Sequence, residues 1–208
     1  MQKSSGRPKD LAKKAKILQA ATAIFLKMGY HATSMQHIAQ EAGVSKLTVY
    51  NHFQDKANLF TCAIETSCET SIFANPVLLT ADSRFEASLT LMCQRALNVA
   101  YLPEALKLDR LLFELAAEQS PLTAQFFNAS HIRMRTIWAE FFQQAVQLKF
   151  IQADDPFQQT VLIVSLLLGM RHYQVLLGLA DVPSPQEMQQ QIQQTVEIFL
   201  LKYQIHSQ

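Results

Sequence analysis

Apolar residues recur every three to four positions along most of this chain, and no stretch alternates for long enough to suggest a strand. The first clear stripe is Leu11, Ala15, Leu18, Ala21, Phe25 and Met28, with Ile17 and Ile24 beside it. It predicts a helix over 10–28, closed by Gly29-Tyr30, with the tyrosine folding back on the last turn. Beyond 33–53 the same periodicity predicts helices at 56–73, 82–101, 103–118, 122–150, 156–178 and 185–203. Asn75-Pro76 breaks the first of these, and a proline stands at or near several of the starts, where its missing N–H does no harm. The predicted fold class is all-α, an N-terminal three-helix domain followed by a larger helical domain. The divisions fall at 1–9, a flexible basic arm, at 10–56, and at 57–208.

The densest punctuation lies in 33–53, TSMQHIAQEAGVSKLTVYNHF. Thr33-Ser34-Met35-Gln36 has the capping-box form, a hydroxyl at the N-cap and a Gln three residues on, so a helix is expected to open there. Gly43 closes it, since a left-handed residue just past a helix end costs glycine nothing sterically. Ser45 can then cap a second helix through Lys46, Leu47, Thr48, Val49 and Tyr50. Ala39 lets the two helices cross closely, Gly43 makes the turn, and Val49 seats the second helix, with Ile38, Val44 and Phe53 also inward. This is the outline of a helix-turn-helix.

These residues, with Gln54-Asp55-Lys56 and Leu59-Phe60 after them, resemble the N-terminal domain of the TetR family of bacterial transcriptional regulators. The most specific element is V-S-x-x-T-V-Y-x-H-F with a lysine three residues later, and close resemblance covers roughly 11–60. The resemblance implies DNA-binding positions at Thr33, Ser34, Gln36, Ser45, Lys46, Thr48, Val49, Tyr50, His52 and Lys56. Thr33, Ser34 and Lys56 would meet phosphates, Lys56 at a helix N-terminus whose N–H groups also favour anions. The Gly6–Lys9 stretch, G-R-P-K, resembles the basic arm of many members, which can enter the minor groove.

Charge agrees with this division. Through Lys56 the chain carries nine Lys/Arg against three Asp/Glu, a net +6 that leaves −5 for the remainder of a chain at +1. A basic head on an acidic body fits a polyanion-binding domain joined to one of another kind. Apolar residues make up 49% of the 208 and charged ones 17%, below the ~25% usual in soluble proteins, which suggests extensive burial between helices or subunits. The start is no secretory signal, and the greasy run at 161–170 is too short for a bilayer, so no membrane association is expected. Cys62, Cys68 and Cys93 are odd in number and lack metal spacing, which points to a reducing cytoplasm; the resemblance adds a bacterial, nucleoid-associated setting.

The two last helices are the expected dimer contact, at 156–178 and 185–203. Val161–Leu168 is apolar nearly all round, Gly169 and Gly178 permit close approach, and Ile192, Val196, Phe199 and Leu200 form a stripe. In the family such helices pair into a four-helix bundle. The middle helices are expected to enclose an apolar effector pocket, with Phe85, Leu89, Cys93, Phe113, Met134, Trp138, Phe141 and His172 as candidate ligand-binding residues. Asn98, His131 and Arg171 are further polar candidates.

Catalytic signals are weak. Asp154-Asp155 before Pro156 reads as a helix start, Arg110, Glu114 and Glu118 read as a surface charge ladder, and His31, His37 and His52 have no zinc spacing. No phosphate loop or nucleophile elbow occurs, so neither enzyme activity nor a cofactor or metal is expected. The expected function is a homodimeric transcriptional regulator, a repressor, bound to a near-palindromic double-stranded DNA operator. A small, mainly apolar or aromatic effector would release it. The alternative is a DNA-organising or protein-docking factor with the same head and no effector.

Overall fold

The computed structural model describes the backbone of residues 7–72 and 77–205, and side chains over 10–66 and 77–205. Residues 1–6 of the arm expected at 1–9, the Asn75-Pro76 break and the side chain of Cys68 lie outside the described residues, while 7–9 open the first helix. Every regular element among those described is helical, apart from one isolated antiparallel bridge between Ile151 and Gln204. No described helix is long and apolar enough to cross a membrane.

In chain order the helices are α1 (Arg7–Ala32), α2 (Met35–Glu41), α3 (Lys46–Phe53), α4 (Lys56–Ile72), α5 (Phe85–Ala100), α6 (Pro103–Ala117) and α7 (Leu122–Phe127). A π-helical turn, Asn128–Ile132, leads into α8 (Arg133–Gln147), followed by α9 (Pro156–Leu176) and α10 (Pro185–Tyr203). Two departures from the sequence reading stand out. The helix expected over 122–150 is interrupted by the π turn and stops at Gln147. There Lys149 takes φ 59° so that the Phe150 amide can bond the Ala145 carbonyl at 2.9 Å, a helix stop that sequence reading assigns to glycine. The first helix begins at Arg7, three residues early, and its buried residues are the central Ile17, Leu18, Ala20, Ala21 and Phe25; Leu11, Ala15 and Met28 are exposed.

The chain forms two compact units. One is the described part of Met1–Ser71 with Lys107–Ser130; the other is the described part of Ile72–Leu106 with that of His131–Gln208. In the first, Phe60 is the hub, its ring centroid 4.9 Å from Phe25, 5.1 Å from Tyr30 and 5.6 Å from Phe126 of α7. Tyr30 stacks back on Phe25 at 5.9 Å as α1 breaks at Gly29, and His31 pairs with Glu118 at 2.6 Å.

The second unit is built on α5, α8, α9 and α10. Trp138 stacks on Phe142, Phe142 on Phe199 at 4.9 Å, and Phe199 leans on Tyr203 at 4.8 Å. Leu89, Cys93, Ile163, Leu167 and Val196 fill the space around these rings. The C-terminal end is tied down: the Gln152 amide donates to the Tyr203 carbonyl at 2.8 Å, and the Tyr203 hydroxyl donates to Asp154 at 2.8 Å. Asp155 caps α9 by accepting from the Phe157 amide. The stripe assigned to subunit pairing on α10, Ile192, Val196 and Phe199, is buried inside its own unit. It has the spacing of an interface and the location of a core.

Candidate nucleic-acid interface and body cavity

The turn between α2 and α3 is set by backbone bonds that the sequence made possible. Gly43, at φ 65°, lets the Val44 amide reach the Ala39 carbonyl at 3.0 Å and its own amide reach Gln40 at 3.2 Å, closing α2 with both bonds of a Schellman stop. Ser45 then caps α3, accepting from the Thr48 amide at 3.1 Å, while the two hydroxyls sit 2.8 Å apart. Ile38, Ala39, Val49 and Phe53 are buried beneath, as the helix-turn-helix outline requires.

Several expected DNA-binding positions lie elsewhere than on the free face. Val49 is fully buried: it seats α3 and presents nothing to a ligand. Thr33 is also buried, its hydroxyl donating to the Gly29 carbonyl at 2.7 Å. The N-cap of α2 is therefore Ser34, one residue later than the capping-box pattern implied, and it accepts from the His37 amide at 3.1 Å. The His52 ring is turned toward α1, Nε2 lying 3.2 Å from Asp10. Lys56 is half-buried; its ammonium donates to the carbonyls of Tyr30 and Thr33, each at 3.0 Å, and lies 4.3 Å from the Tyr30 ring centre.

What remains open on α3 and the turns is Gln36, Ser45, Lys46, Leu47, Tyr50 and Asn51, with Thr48 partly so. Lys46 sits over the Tyr50 ring at 5.7 Å, holding two long side chains to one face. The sequence reading missed Leu47, 69% exposed, and Asn51. Both could have been found as the positions opposite Val49 and Phe53 on a helical wheel. The face thus offers a cation, an amide, hydroxyls and an apolar tip. Those are the groups that read guanine, adenine and the thymine methyl in a major groove.

The aromatic residues expected to line a pocket are mostly structural. Phe85, Leu89, Cys93, Trp138 and Phe141 are buried, with Phe85 stacked on Phe141 at 5.9 Å and on Phe150 at 5.7 Å. Rings packed on rings leave no room for a ligand. Met134 packs partly buried against the same core. Phe113 is 46% exposed and belongs to the other compact unit. His172 packs edge-on to Tyr101 at 5.3 Å. Burial pushes the Cys93 thiol up to about 12 and also raises Cys62.

A cavity of about 290 Å³ does lie in the second unit, between α5, α9 and α10, lined by Leu97, Tyr101, Leu168, Arg171, Glu187 and Gln191 among others. Between the lining residues Leu168 and Arg171, Gly169 breaks α9 at φ 50°, ψ −157°. The break interrupts the helical ladder beside the Leu166 carbonyl, and Gln191 of α10 donates to that carbonyl at 2.6 Å. Arg171 approaches Glu187 at 3.7 Å, while Glu187 completes the capping box of α10 by accepting from the Ser184 amide at 2.7 Å. That bond, ahead of other causes, holds the Glu187 carboxyl below its ordinary range. No cluster of three or more potential metal ligands occurs among the described residues.

Comparison with known proteins covers both units. Residues 17–61 match the family described as bacterial regulatory proteins, tetR family, and residues 87–205, more than half the chain, match the C-terminal domain of AefR-like transcriptional repressors. A solved structure from Mesorhizobium loti, assigned to the TetR-family transcriptional regulators, is 31% identical with a TM-score of 0.84, over 94% of this chain and 98% of that one. The flavonoid-responsive regulator FrrA is 26% identical with a TM-score of 0.79, over 94% and 99% of the respective chains. The transcriptional activator FasR of Mycolicibacterium smegmatis is 40% identical over 58 residues, which is 28% of this chain and 26% of FasR. The chain therefore matches only about a quarter of that curated relative's length.

Proposed function

Because this chain belongs to the TetR family of bacterial transcriptional regulators, we propose that it acts as a homodimeric repressor reading a near-palindromic operator, one α3 in each half-site. The observation that carries this reading is the open face of α3. Lys46, Leu47, Tyr50 and Asn51 are exposed together on a helix whose opposite side is anchored by Val49 and Phe53. Ser45 and Thr48 stand at its N-terminus, and Ser34 and Gln36 flank it on α2 as phosphate contacts. The repressor sign is supported by the C-terminal match to AefR-like transcriptional repressors over 87–205, whereas the match to the activator FasR spans 58 residues.

Pairing is assigned to the apolar side chains that α9, α10 and their flanks leave uncovered: Met170, Tyr173, Leu177, Leu179, Ile198 and Leu201. Ile198 and Leu201 fall at i and i+3 on α10, and exposed Ile205 follows just past its end. A two-fold axis through such a face matches operator symmetry.

The effector is assigned to the cavity between α5, α9 and α10. Apolar walls from Leu97, Leu167, Leu168 and Met188, with Tyr101, Arg171 and Gln191 beside them, suit a flat aromatic molecule carrying hydroxyl or single anionic groups. The flavonoid response of FrrA supports this class. Linkage requires that a ligand which releases DNA bind the DNA-bound dimer less tightly by the same factor. The test is a selection of bound duplexes from a random pool, followed by titration of a flavonoid and other flat phenols against the selected duplex. Failure to enrich any sequence would refute DNA reading, and no loss of affinity with any of them would refute the effector.

A further inference from the structure

We propose that the molecule taken by the cavity between α5, α9 and α10 is an aromatic monocarboxylate, and that Arg171 selects it by accepting its carboxylate in exchange for Glu187. This rests on the reading of that cavity as the effector site. Arg171 and Glu187 both line it, together with Leu97, Tyr101, Leu168 and Gln191. Arg171 Nη2 lies 3.7 Å from Glu187 Oε1, well beyond the roughly 2.7–2.9 Å of a seated charge-assisted bond. Glu187 is held by the cap of α10 instead. Its other oxygen, Oε2, accepts from the Ser184 amide at 2.7 Å, and its own amide donates to the Ser184 hydroxyl at 3.3 Å.

A guanidinium is a flat fork of donors that fits two carboxylate oxygens side by side. Glu187 offers it one oxygen at a distance, so the fork stands at the cavity wall only loosely engaged. The two side chains are 43% and 56% exposed, and a pair in that much water contributes little, so parting them costs little. Tyr101, buried beside the same cavity, adds a second donor. Burial raises the pKa of its hydroxyl against a smaller lowering by Arg171, so the hydroxyl stays protonated and feels the guanidinium charge. An acceptor-only anion satisfies both groups, while Leu97 and Leu168 offer apolar wall to a ring. The volume, about 290 Å³, stands at the low end of the roughly 300–1,000 Å³ usual for ligand pockets, which limits the molecule to one or two rings. A second negative charge would face Glu187, which remains at the start of α10 throughout the exchange.

The test is calorimetric binding to the whole chain without DNA, with cinnamate and 2-naphthoate set against their primary amides, which share their shape and lack the charge. The wild type should bind each acid roughly tenfold more tightly than its amide, the margin of a charged over a neutral hydrogen bond. Arg171→Met should erase that margin and leave the amide affinities as they were. Glu187→Gln keeps the form of a capping box and removes the competing charge. It should therefore tighten the acids by about two- to fivefold, the worth of an exposed ion pair, with the amides unchanged. Equal affinity for acid and amide in the wild type, or an acid margin that survives in Arg171→Met, would overturn the proposal. So would acids that bind Glu187→Gln more weakly, or an Arg171→Met protein that loses acid and amide alike. Arg171→Gln carries the same readout if the Met variant fails to fold. A flavonoid that binds while the acids hold no advantage would refute the carboxylate assignment and leave the effector reading standing. No binding by flavonoid, acid or amide would refute both.

Discussion

Leu201→Glu separates the dimer face from the core it resembles. Leu201 is 79% exposed on α10, whereas Phe199, two residues earlier, is fully buried against Phe142 and Tyr203. Burying a Leu side chain is worth about 1.5–3 kcal/mol, and a two-fold interface contains the residue twice, so loss of both gives about 3–6 kcal/mol. That corresponds to roughly a hundred- to ten-thousandfold weaker dimerisation, before the added cost of desolvating a carboxylate. The folded subunit itself loses little, because the side chain makes few contacts within it. Sedimentation velocity over a concentration series should show monomer where the wild type is dimeric, with helical content unchanged. Phe199→Ala should do the opposite, lowering subunit stability by about 3–5 kcal/mol as a cavity opens among stacked rings. A Leu201→Glu protein that sediments as the wild type does would refute the assignment of this face.

Other outcomes follow from particular contacts. Gly43→Ala meets no neighbouring atom, so its cost is the left-handed backbone alone, about 1–2 kcal/mol in thermal or denaturant unfolding, with weaker DNA binding as the turn shifts. Asn51→Ala and Lys46→Ala should change which sequences are enriched in a duplex selection more than they change the salt slope. The Asp154 carboxyl is held below its ordinary range chiefly by the Tyr203 hydroxyl, so its contribution is present above the unfolded value of about 4 and fades as pH falls through the lower folded one. Wild type and Tyr203→Phe should therefore differ in thermal midpoint near neutrality and converge in acid. Cys93, fully buried and with its thiol near 12, should resist alkylation in the native protein at pH 8 and react only on unfolding.

The head was legible because its signals are local. A serine before an amphipathic run and a glycine after one each act within four residues, so Ser45, Gly43, Val49 and Phe53 could be placed without knowing what packs on them. What local signals left open was one residue or one side-chain direction: Ser34 and not Thr33 as the cap, His52 beside Asp10, Lys56 bonded to the α1 junction. Direction is decided by partners 23 to 42 residues away, which spacing does not encode.

The body was legible only as helices. An apolar stripe has the same period whether it faces its own chain or a second copy, so Ile192, Val196 and Phe199 read as an interface and are core. The exposed pair Ile198 and Leu201 lies on the same helix at the same i, i+3 spacing as Val196 and Phe199. Aromatic density likewise does not distinguish a lined cavity from rings stacked on one another, and in 85–142 the stacking won. The cavity between α5, α9 and α10 lies where one glycine breaks α9. At Gly169 the helical ladder breaks, a carbonyl turns to a glutamine 25 residues further on, and the space left between α5, α9 and α10 is bordered by Arg171 and Glu187 rather than by phenylalanines. A site made by interrupting a helix is invisible to any argument from periodicity, because it appears where the period fails.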